Sequence, residues 1–195
     1  MANHKFKILA FDPGLTNTGW SFSEVDIKDD SLTILKVGEF HPGPTVEKKS
    51  YRDQVEQFDK RTITLAYLRE QLTKLLLELK PNAVCAEDIF MNVRRPMAYG
   101  ALAMHQCITR LVCRDVANKR LITIPTKIAK AALTHSGSSD KLTVQQHVAS
   151  NDKIHFKNPE DLQHITEHEA DSIAVAFALV KMYKDFILAE MEKAQ

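Results

Sequence analysis

The sequence ILAFDPGLTNTGW, residues 8–20, decides the fold. It continues an apolar run, residues 6–11, that predicts a buried strand with Asp12 at its end. Pro13 and Gly14 then predict a turn, because proline presets φ and glycine accepts positive φ. Residues 18–25 alternate well enough in polarity to predict a second strand that returns beside the first. A carboxylate at the mouth of a buried strand can hold a divalent metal or simply cap the turn, and this stretch alone allows both interpretations.

The composition is that of an ordinary globular protein, with 195 residues, 44% of them hydrophobic and 26% charged. This length predicts a single domain over residues 1–195. No apolar run approaches the length of a membrane span, and the first residues lead directly into a strand. The three cysteines lack metal-like spacing and are expected to stay reduced. We therefore expect a cytoplasmic protein with no membrane partner.

The rest of the chain predicts an α/β domain with a mixed five-stranded sheet, an antiparallel meander followed by parallel strands, flanked by helices. A third strand over residues 32–40 completes the meander. Proline and glycine then indicate a surface loop at about 41–57. The later segments follow from apolar periodicity: helices over about 58–79, 96–118, 125–133, 141–149 and from about 168, and strands over 83–86 and 121–124.

Acidic residues stand at the ends of these predicted elements. Asp12 and Glu87 each end a buried strand, while His168 and Asp171 share one face at the start of the last helix. In α/β sheets, sites form beyond the strand ends, near the point where strand order reverses. Any one of these residues could be a helix cap or a surface group. Together they suit Mg²⁺ or Mn²⁺, and two ions could support metal-assisted phosphodiester hydrolysis.

The net charge of +1 conceals an uneven distribution. Residues 92–130 contain eight basic residues and one acid, whereas residues 160–195 contain eight acids and three lysines. This asymmetry is expected if acids gather around metals while a neighbouring basic face meets phosphates, although solvated helix faces would also produce it.

Three motifs, in this order and spacing, make the chain similar to a known family: FDPGLTNTG at residues 11–19, AEDIFM at 86–91 and HEADSIAVA at 168–176. The chain resembles the RuvC Holliday junction resolvases, which have an RNase H-like fold, over nearly its whole length. The resemblance implies a structure-selective endonuclease that cleaves four-way and related branched DNA junctions with paired nicks. It also implies catalytic metal-binding carboxylates at Asp12, Glu87 and Asp171, with His168 at a position where family members carry Asp or His.

Further residues gain DNA-binding roles from this resemblance. Phe90 resembles the aromatic residue that wedges into the strand-exchange point, although a core phenylalanine would also fit. Lys130 and Lys141 resemble two functional lysines near the scissile phosphate, Lys130 as part of the catalytic set, although each could be a solvated lysine. The basic middle of the chain supplies the remaining expected DNA contacts, Arg94, Arg95 and Lys127.

A homodimer is expected, because a four-way junction has near two-fold symmetry and two opposed cuts need two sites. The long helix over residues 96–118 is the predicted interface, since its apolar residues, including Ile108, Leu111 and Val112, exceed what one sheet face needs. The long 41–57 loop and the basic Arg94-Arg95 pair depart from a typical bacterial resolvase. Such departures would suit a phage-encoded relative acting in the host cytoplasm.

Three alternative functions share parts of this pattern. ATP-binding proteins of the actin and sugar-kinase type also open with an Asp-x-Gly-x-Thr loop, but they need a second, similar half. A chain of 195 residues with six glycines leaves no place for that half, so no nucleotide cofactor is expected. An RNase H-like nuclease acting on another nucleic acid and a non-catalytic junction-binding protein remain open.

Overall fold

The computed structural model describes residues 5–89 and 96–193. The strands of these residues are β1 (Phe6–Asp12), β2 (Thr18–Asp26), β3 (Ser31–Phe40), β4 (Ala83–Glu87), β5 (Leu121–Ile124) and β6 (Ile154–Phe156). The helices are α1 (Pro42–Val46), α2 (Arg52–Phe58), α3 (Lys60–Leu79), α4 (Pro96–Ala117), α5 (Thr126–Thr134), α6 (Lys141–Ser150), α7 (Pro159–Gln163), α8 (Glu167–Met182) and α9 (Lys184–Lys193), with a 3₁₀ turn at Lys49–Tyr51. None of these helices is both long and apolar enough to cross a membrane.

The strands form one mixed sheet in the order β5-β4-β1-β2-β3-β6. β1, β2 and β3 pair antiparallel, so the predicted meander is confirmed. β4 joins β1 in parallel, and β5 joins β4 in parallel. The carboxyl ends of β1, β4 and β5 therefore lie at one edge of the sheet.

The strand β6 corrects the predicted strand number from five to six among the described residues. It contains only three residues, pairs in parallel with β3, and buries Ile154 alone. Three residues are too few to show the alternation that identifies a strand in a sequence. The pairing that defines β6 is with residues more than a hundred positions earlier in the chain.

The predicted surface loop at 41–57 is also corrected, because this segment is largely helical. It contains α1, the 3₁₀ turn and most of α2. Pro42 is compatible with α1 because it occupies the first turn, where a missing N–H breaks no helical hydrogen bond. Pro42 and Val46 are buried, while most of α2 is exposed.

Helices cover both faces of the sheet. Ile8 and Ala10 of β1 face a core shared with α5, α6 and α8, whereas Leu9 and Phe11 face a core shared with α3 and α4. The α8 helix is the most deeply placed, since every residue from 169 to 180 is buried. Because an all-buried helix cannot shift without disturbing the core, α8 is a rigid support for the polar residues at its start.

Candidate active site

Sheet topology brings the first two predicted carboxylates to one edge. Asp12 is the last residue of β1 and Glu87 the last residue of β4, and these strands are parallel neighbours with Phe11 paired to Ala86. Parallel strands end at the same side of a sheet, so both side chains follow from strand order. This placement matches the sequence-based expectation.

Gly19 lets the start of α8 approach the same edge. It pairs with Asp12 across β1 and β2, and a Cβ atom at this position would lie 2.2 Å from the backbone oxygen of His168. No side chain fits in that space. The absence of a Cβ at Gly19 therefore allows the first turn of α8, with His168 and Asp171, to lie against the strand beside Asp12.

Thr166 and Glu169 fix the first turn of α8 through a capping box. The Glu169 carboxylate accepts the Thr166 N–H at 2.8 Å, and the Glu169 N–H donates to the Thr166 hydroxyl at 3.2 Å. The Thr166 hydroxyl also donates to Glu39 of β3. Reciprocal capping satisfies backbone donors that a helix start leaves free.

His168 forms the closest contact within the predicted ligand set. Its Nδ1 lies 2.7 Å from Oδ2 of Asp12, and its Nε2 lies 3.4 Å from Nδ2 of Asn17. The hydrogen bond to Asp12 raises the pKa of His168, with burial opposing the shift. Both ring nitrogens are engaged by protein groups, so metal binding by His168 requires one of these contacts to open.

Glu87 and Asp171 both resist ionisation in this site. Burial, followed by the charge of Asp12, raises the pKa of Glu87 to about 7, while a 2.5 Å hydrogen bond from the Thr126 hydroxyl opposes the shift. Burial, again followed by the charge of Asp12, raises the pKa of Asp171 to about 6, against the charge of Lys130. The three carboxylates therefore repel one another within a partly buried site.

The chemistry of this donor set fits a divalent cation, because a cation would offset the repulsion that raises the pKa values of Glu87 and Asp171. Oxygen ligands from carboxylates suit Mg²⁺ and Mn²⁺. Within residues 5–89 and 96–193, however, no group of three or more His, Cys, Asp and Glu side chains is arranged to hold a metal ion. The predicted two-ion site stays a prediction.

The predicted lysines flank the carboxylates. Lys130 donates to the backbone oxygen of Ser139 at 2.7 Å, and its charge opposes the rise in the pKa values of Glu87 and Asp171. Lys141 forms a 2.6 Å ion pair with Glu167. Partial burial acts to lower the pKa of Lys141, but the ion pair with Glu167 and the nearby carboxylates raise it.

A cleft of about 540 Å³ opens beside Thr126, the residue whose hydroxyl donates to Glu87. Its walls come from the residues that follow β4 and β5, from α5 and from the loop at 137–139, and include Lys127 and Lys130. Lys127 is exposed. The backbone oxygen of Lys127 lies so near Gly137 that a Cβ there would approach it to 2.9 Å. The cleft thus contains two lysines together with Thr126, and the charge of one of them, Lys130, acts on Glu87 and Asp171.

The predicted DNA-binding residues Phe90, Arg94 and Arg95 lie outside the described residues. The motif at 86–91 is described as far as Ile89. The roles of these three residues stay predictions.

Sequence reasoning missed several polar residues of this site. Thr126 carried a usable signal, because a hydroxyl after β5 stands at the same sheet edge as Glu87. Asn17 and His41 carried none, since their contacts join the first turn to α8 and to the end of β3. Glu167, which the sequence left without a role, pairs with Lys141 and lies 3.5 Å from Nε2 of His168.

Known proteins are similar to this chain in sequence, although no protein-family model matches it. The crossover junction endodeoxyribonuclease RuvC of Caulobacter vibrioides is 25% identical over 139 residues, covering 71% of this chain and 72% of that protein. The protein of the same name from Wolbachia pipientis of Culex pipiens is 26% identical over 175 residues, covering 87% and 89%. The chain is RuvC-like.

Two solved structures share the fold of this chain. Thermus thermophilus RuvC, in complex with a Holliday junction substrate, superposes with a TM-score of 0.66 and 16% identity over 96% of both chains. The yeast mitochondrial Holliday junction resolvase Ydc2 gives 0.64 and 16%, covering 93% of this chain and 83% of that chain. The predicted RNase H-like fold is confirmed, while the phage origin stays a prediction.

Proposed function

We propose that this chain is a structure-selective endonuclease that cleaves Holliday junctions by hydrolysing phosphodiester bonds. The observation that carries the proposal is the meeting of Asp12, Glu87 and Asp171 at one sheet edge, where burial and mutual repulsion raise the pKa of two of them. Such a set suits cation-assisted hydrolysis. Relatives named as crossover junction endodeoxyribonucleases support the choice of DNA junctions as substrate.

The chain's own residues have separable roles in this reaction. Asp12, Glu87 and Asp171 would hold Mg²⁺ or Mn²⁺, with His168 as the predicted fourth ligand. When bound, the cation supplies an activated water and stabilises the leaving oxygen. Thr126 orients Glu87 through its hydrogen bond.

The DNA path follows the cleft beside Glu87. Lys127 and Lys130 line it, and Lys141 is near enough to Asp171 and Asp12 for their charges to raise its pKa, so these cations can neutralise the phosphates around the cut. Phe90, Arg94 and Arg95 are proposed to extend this contact toward the branch point, with Phe90 as the wedge. Charge complementarity supports this path, because Lys127 and Lys141 are exposed and the charge of Lys130 acts on Glu87 and Asp171.

Paired nicks on opposed strands require two sites, so a homodimer is part of the proposal. Helix α4 supports it with exposed apolar side chains, since Tyr99 and Met104 are each 39% exposed and Leu111 is 42% exposed. Two residues expected at this interface instead face the interior. Val112 is buried in the core with α3, and Ile108 packs against that core.

Incubation with synthetic substrates in Mg²⁺ tests the proposal. Wild type should introduce paired nicks in a four-way junction and leave a linear duplex of the same sequence intact. Asp12→Asn should still bind the junction but not cut it, because it loses a charge that holds the cation and keeps the lysines. Cleavage of an RNA–DNA hybrid in preference to the junction would contradict the proposal, and so would binding without any cleavage by wild type.

A further inference from the structure

Asn17 lies between two histidines at the candidate site. Its Nδ2 is 3.4 Å from Nε2 of His168, and its Oδ1 is 2.9 Å from Nδ1 of His41. The other nitrogen of the His168 ring lies 2.7 Å from Asp12. Asp12, His168, Asn17 and His41 therefore form one continuous row of hydrogen bonds, which ends at the residue that precedes α1.

The turn before β2 presents Asn17 in a defined position. A Cβ atom at Gly14 would lie 2.3 Å from the backbone oxygen of Asn17, so the turn closes tightly on itself. Thr18 also anchors this turn, because its hydroxyl donates to the Gly14 oxygen at 2.5 Å. These two close contacts at Gly14 fix the backbone of the turn that carries Asn17.

The charge of Asp12 sets the direction of every hydrogen bond in the row. An ionised carboxylate only accepts, so Nδ1 of His168 must carry the hydrogen. In the neutral ring, Nε2 then offers a lone pair, and the NH₂ end of Asn17 is the end that can donate to it. The amide oxygen consequently faces His41 and accepts its Nδ1–H.

Glu167 is the competing partner for Nε2 of His168. Its carboxylate lies 3.5 Å away and would favour a hydrogen on Nε2, which is the opposite tautomer. Lys141 restrains that competition, because its ammonium group holds the same Glu167 oxygen at 2.6 Å. The ion pair on one side and Asn17 on the other therefore favour the same tautomer of His168.

We propose that Asn17 is a positioning residue that holds neutral His168 in its Nδ1–H tautomer, in which Nδ1–H donates to Asp12. His41 in turn fixes the orientation of the Asn17 side-chain amide. The bond engages Oδ2 of Asp12 and leaves its Oδ1 available to the reaction. This tautomer keeps the lone pair on Nε2, through which His168 would ligate a cation once the Asn17 contact opens, so its catalytic meaning rests on the proposed nuclease function. The tautomer itself does not depend on that function.

Two-bond ¹H–¹⁵N NMR spectra of metal-free protein, labelled in histidine, test the tautomer directly. They are recorded at a pH that keeps the His168 ring neutral, and loss of signals in His168→Gln assigns the ring. Wild type should show the Nδ1–H tautomer. Asn17→Ala should give a mixture with the Nε2–H form, and the exposed neighbour variant Thr16→Ala should match wild type. An Nε2–H ring in wild type, or a pure Nδ1–H ring in Asn17→Ala, would overturn the proposal, because Asp12 alone would then select the tautomer.

His41 offers a second route to the same bond, because its side chain is half exposed and outside the tight turn. His41→Ala should shift the tautomer in the same direction as Asn17→Ala, since the amide is then free to rotate. His41→Gln should restore the wild-type spectrum, because a glutamine amide can donate to Asn17 again. Identical spectra for His41→Ala and wild type would remove His41 from the proposal.

Junction cleavage separates this inference from the proposed function. Asn17→Ala should lower kcat by about ten- to a hundredfold with little change in junction affinity, as expected for a group that orients another. If wild type cleaves junctions but Asn17→Ala changes neither the His168 tautomer nor kcat, the inference fails and the proposed function stands. If wild type never cleaves but the tautomer responds as described, the proposed function fails and the positioning role of Asn17 stands.

Discussion

At the residue scale, Glu87 is predicted to reduce the stability of the metal-free protein. Its pKa is raised to about 7, by burial first and then by the charge of Asp12, so the folded state binds its proton more tightly than the unfolded state does. The resulting destabilisation is absent well below its ordinary pKa and grows as pH rises through about 7. Glu87→Gln should therefore stabilise metal-free protein at about pH 8, on the order of 1–3 kcal/mol, and abolish cleavage.

Urea unfolding in a chelator measures this effect. The gain should vanish at about pH 4, where the carboxyl is protonated in both states. The exposed Glu56→Gln, on α2, is the matched control and should change neither stability nor cleavage. A loss of stability in Glu87→Gln at about pH 8 would show that the charge of Glu87 is already compensated in the fold.

His105 is a second buried group whose titration should be visible in stability. Burial lowers its pKa to about 4, and its Nε2 lies 3.0 Å from the hydroxyl of Thr18. Because the folded pKa is below the ordinary value, the neutral ring stabilises the fold above about pH 6.5 and that contribution is lost as pH falls toward about 4. Wild type should lose on the order of 2–3 kcal/mol more than His105→Gln across this window.

Thermal or urea unfolding at several pH values checks this prediction. Glu87 and Asp171 change stability in the opposite direction over an overlapping range, so the difference between wild type and His105→Gln isolates the histidine. Parallel pH curves for the two proteins would show that His105 does not titrate on unfolding.

At the element scale, the contact between β2 and α8 should be sensitive to a single methyl group. A Cβ at Gly19 would lie 2.2 Å from the His168 oxygen, and α8 is too deeply buried to move freely. Gly19→Ala should cost about 1–3 kcal/mol of stability. It should also lower cleavage about a hundredfold or more, because the start of α8 carries His168 and Asp171.

Gly100→Ala is the matched control. Gly100 lies within α4, and a Cβ added there would meet no atom of the described residues outside the helix backbone within 4 Å. It should stabilise the protein by about 0.5–1 kcal/mol, which separates the effect at Gly19 from that of replacing a helix-interior glycine. Unfolding curves of both variants, together with junction cleavage by Gly19→Ala, give the comparison. Equal behaviour of the two alanine variants would mean that α8 adjusts to the added methyl group without cost.

At the scale of the whole molecule, a near-neutral net charge of +1 still allows strong local attraction for DNA. Lys127 and Lys130 line the cleft beside the carboxylates. Lys127→Ala and Lys130→Ala should each reduce the slope of log affinity against log salt by about 0.9, because each removes one neutralised phosphate. Lys74→Ala, which breaks an exposed ion pair on α3, is the control.

Junction binding in Ca²⁺ at several salt concentrations measures these slopes without cleavage. The Lys74→Ala slope should equal that of wild type. If the slopes of the two cleft variants also equal that of wild type, the cleft is not the DNA path, and the proposed path beside Glu87 has to be abandoned.

The local sequence pattern was sufficient to predict the main strands and the positions of the carboxylates at their ends. Asp12 and Glu87 were predicted at strand ends because buried strands and the turns after them have short-range signatures. The RuvC-like motifs at 11–19, 86–91 and 168–176 also predicted the fold that the structure confirms. The missed features are short: β6 pairs with a strand more than a hundred residues earlier in the chain, and the helices at 42–58 pack against the neighbouring α3.

The sequence by itself therefore determined the strand-end carboxylates and the α/β fold, because those follow from periodicity and turn chemistry. Only the tertiary structure decided the environment of those groups. The hydrogen bond between His168 and Asp12 joins residues 156 positions apart, and the raised pKa of Glu87 comes from burial and the charge of Asp12. Burial and electrostatic repulsion depend on which surfaces meet in three dimensions, and no local pattern records them.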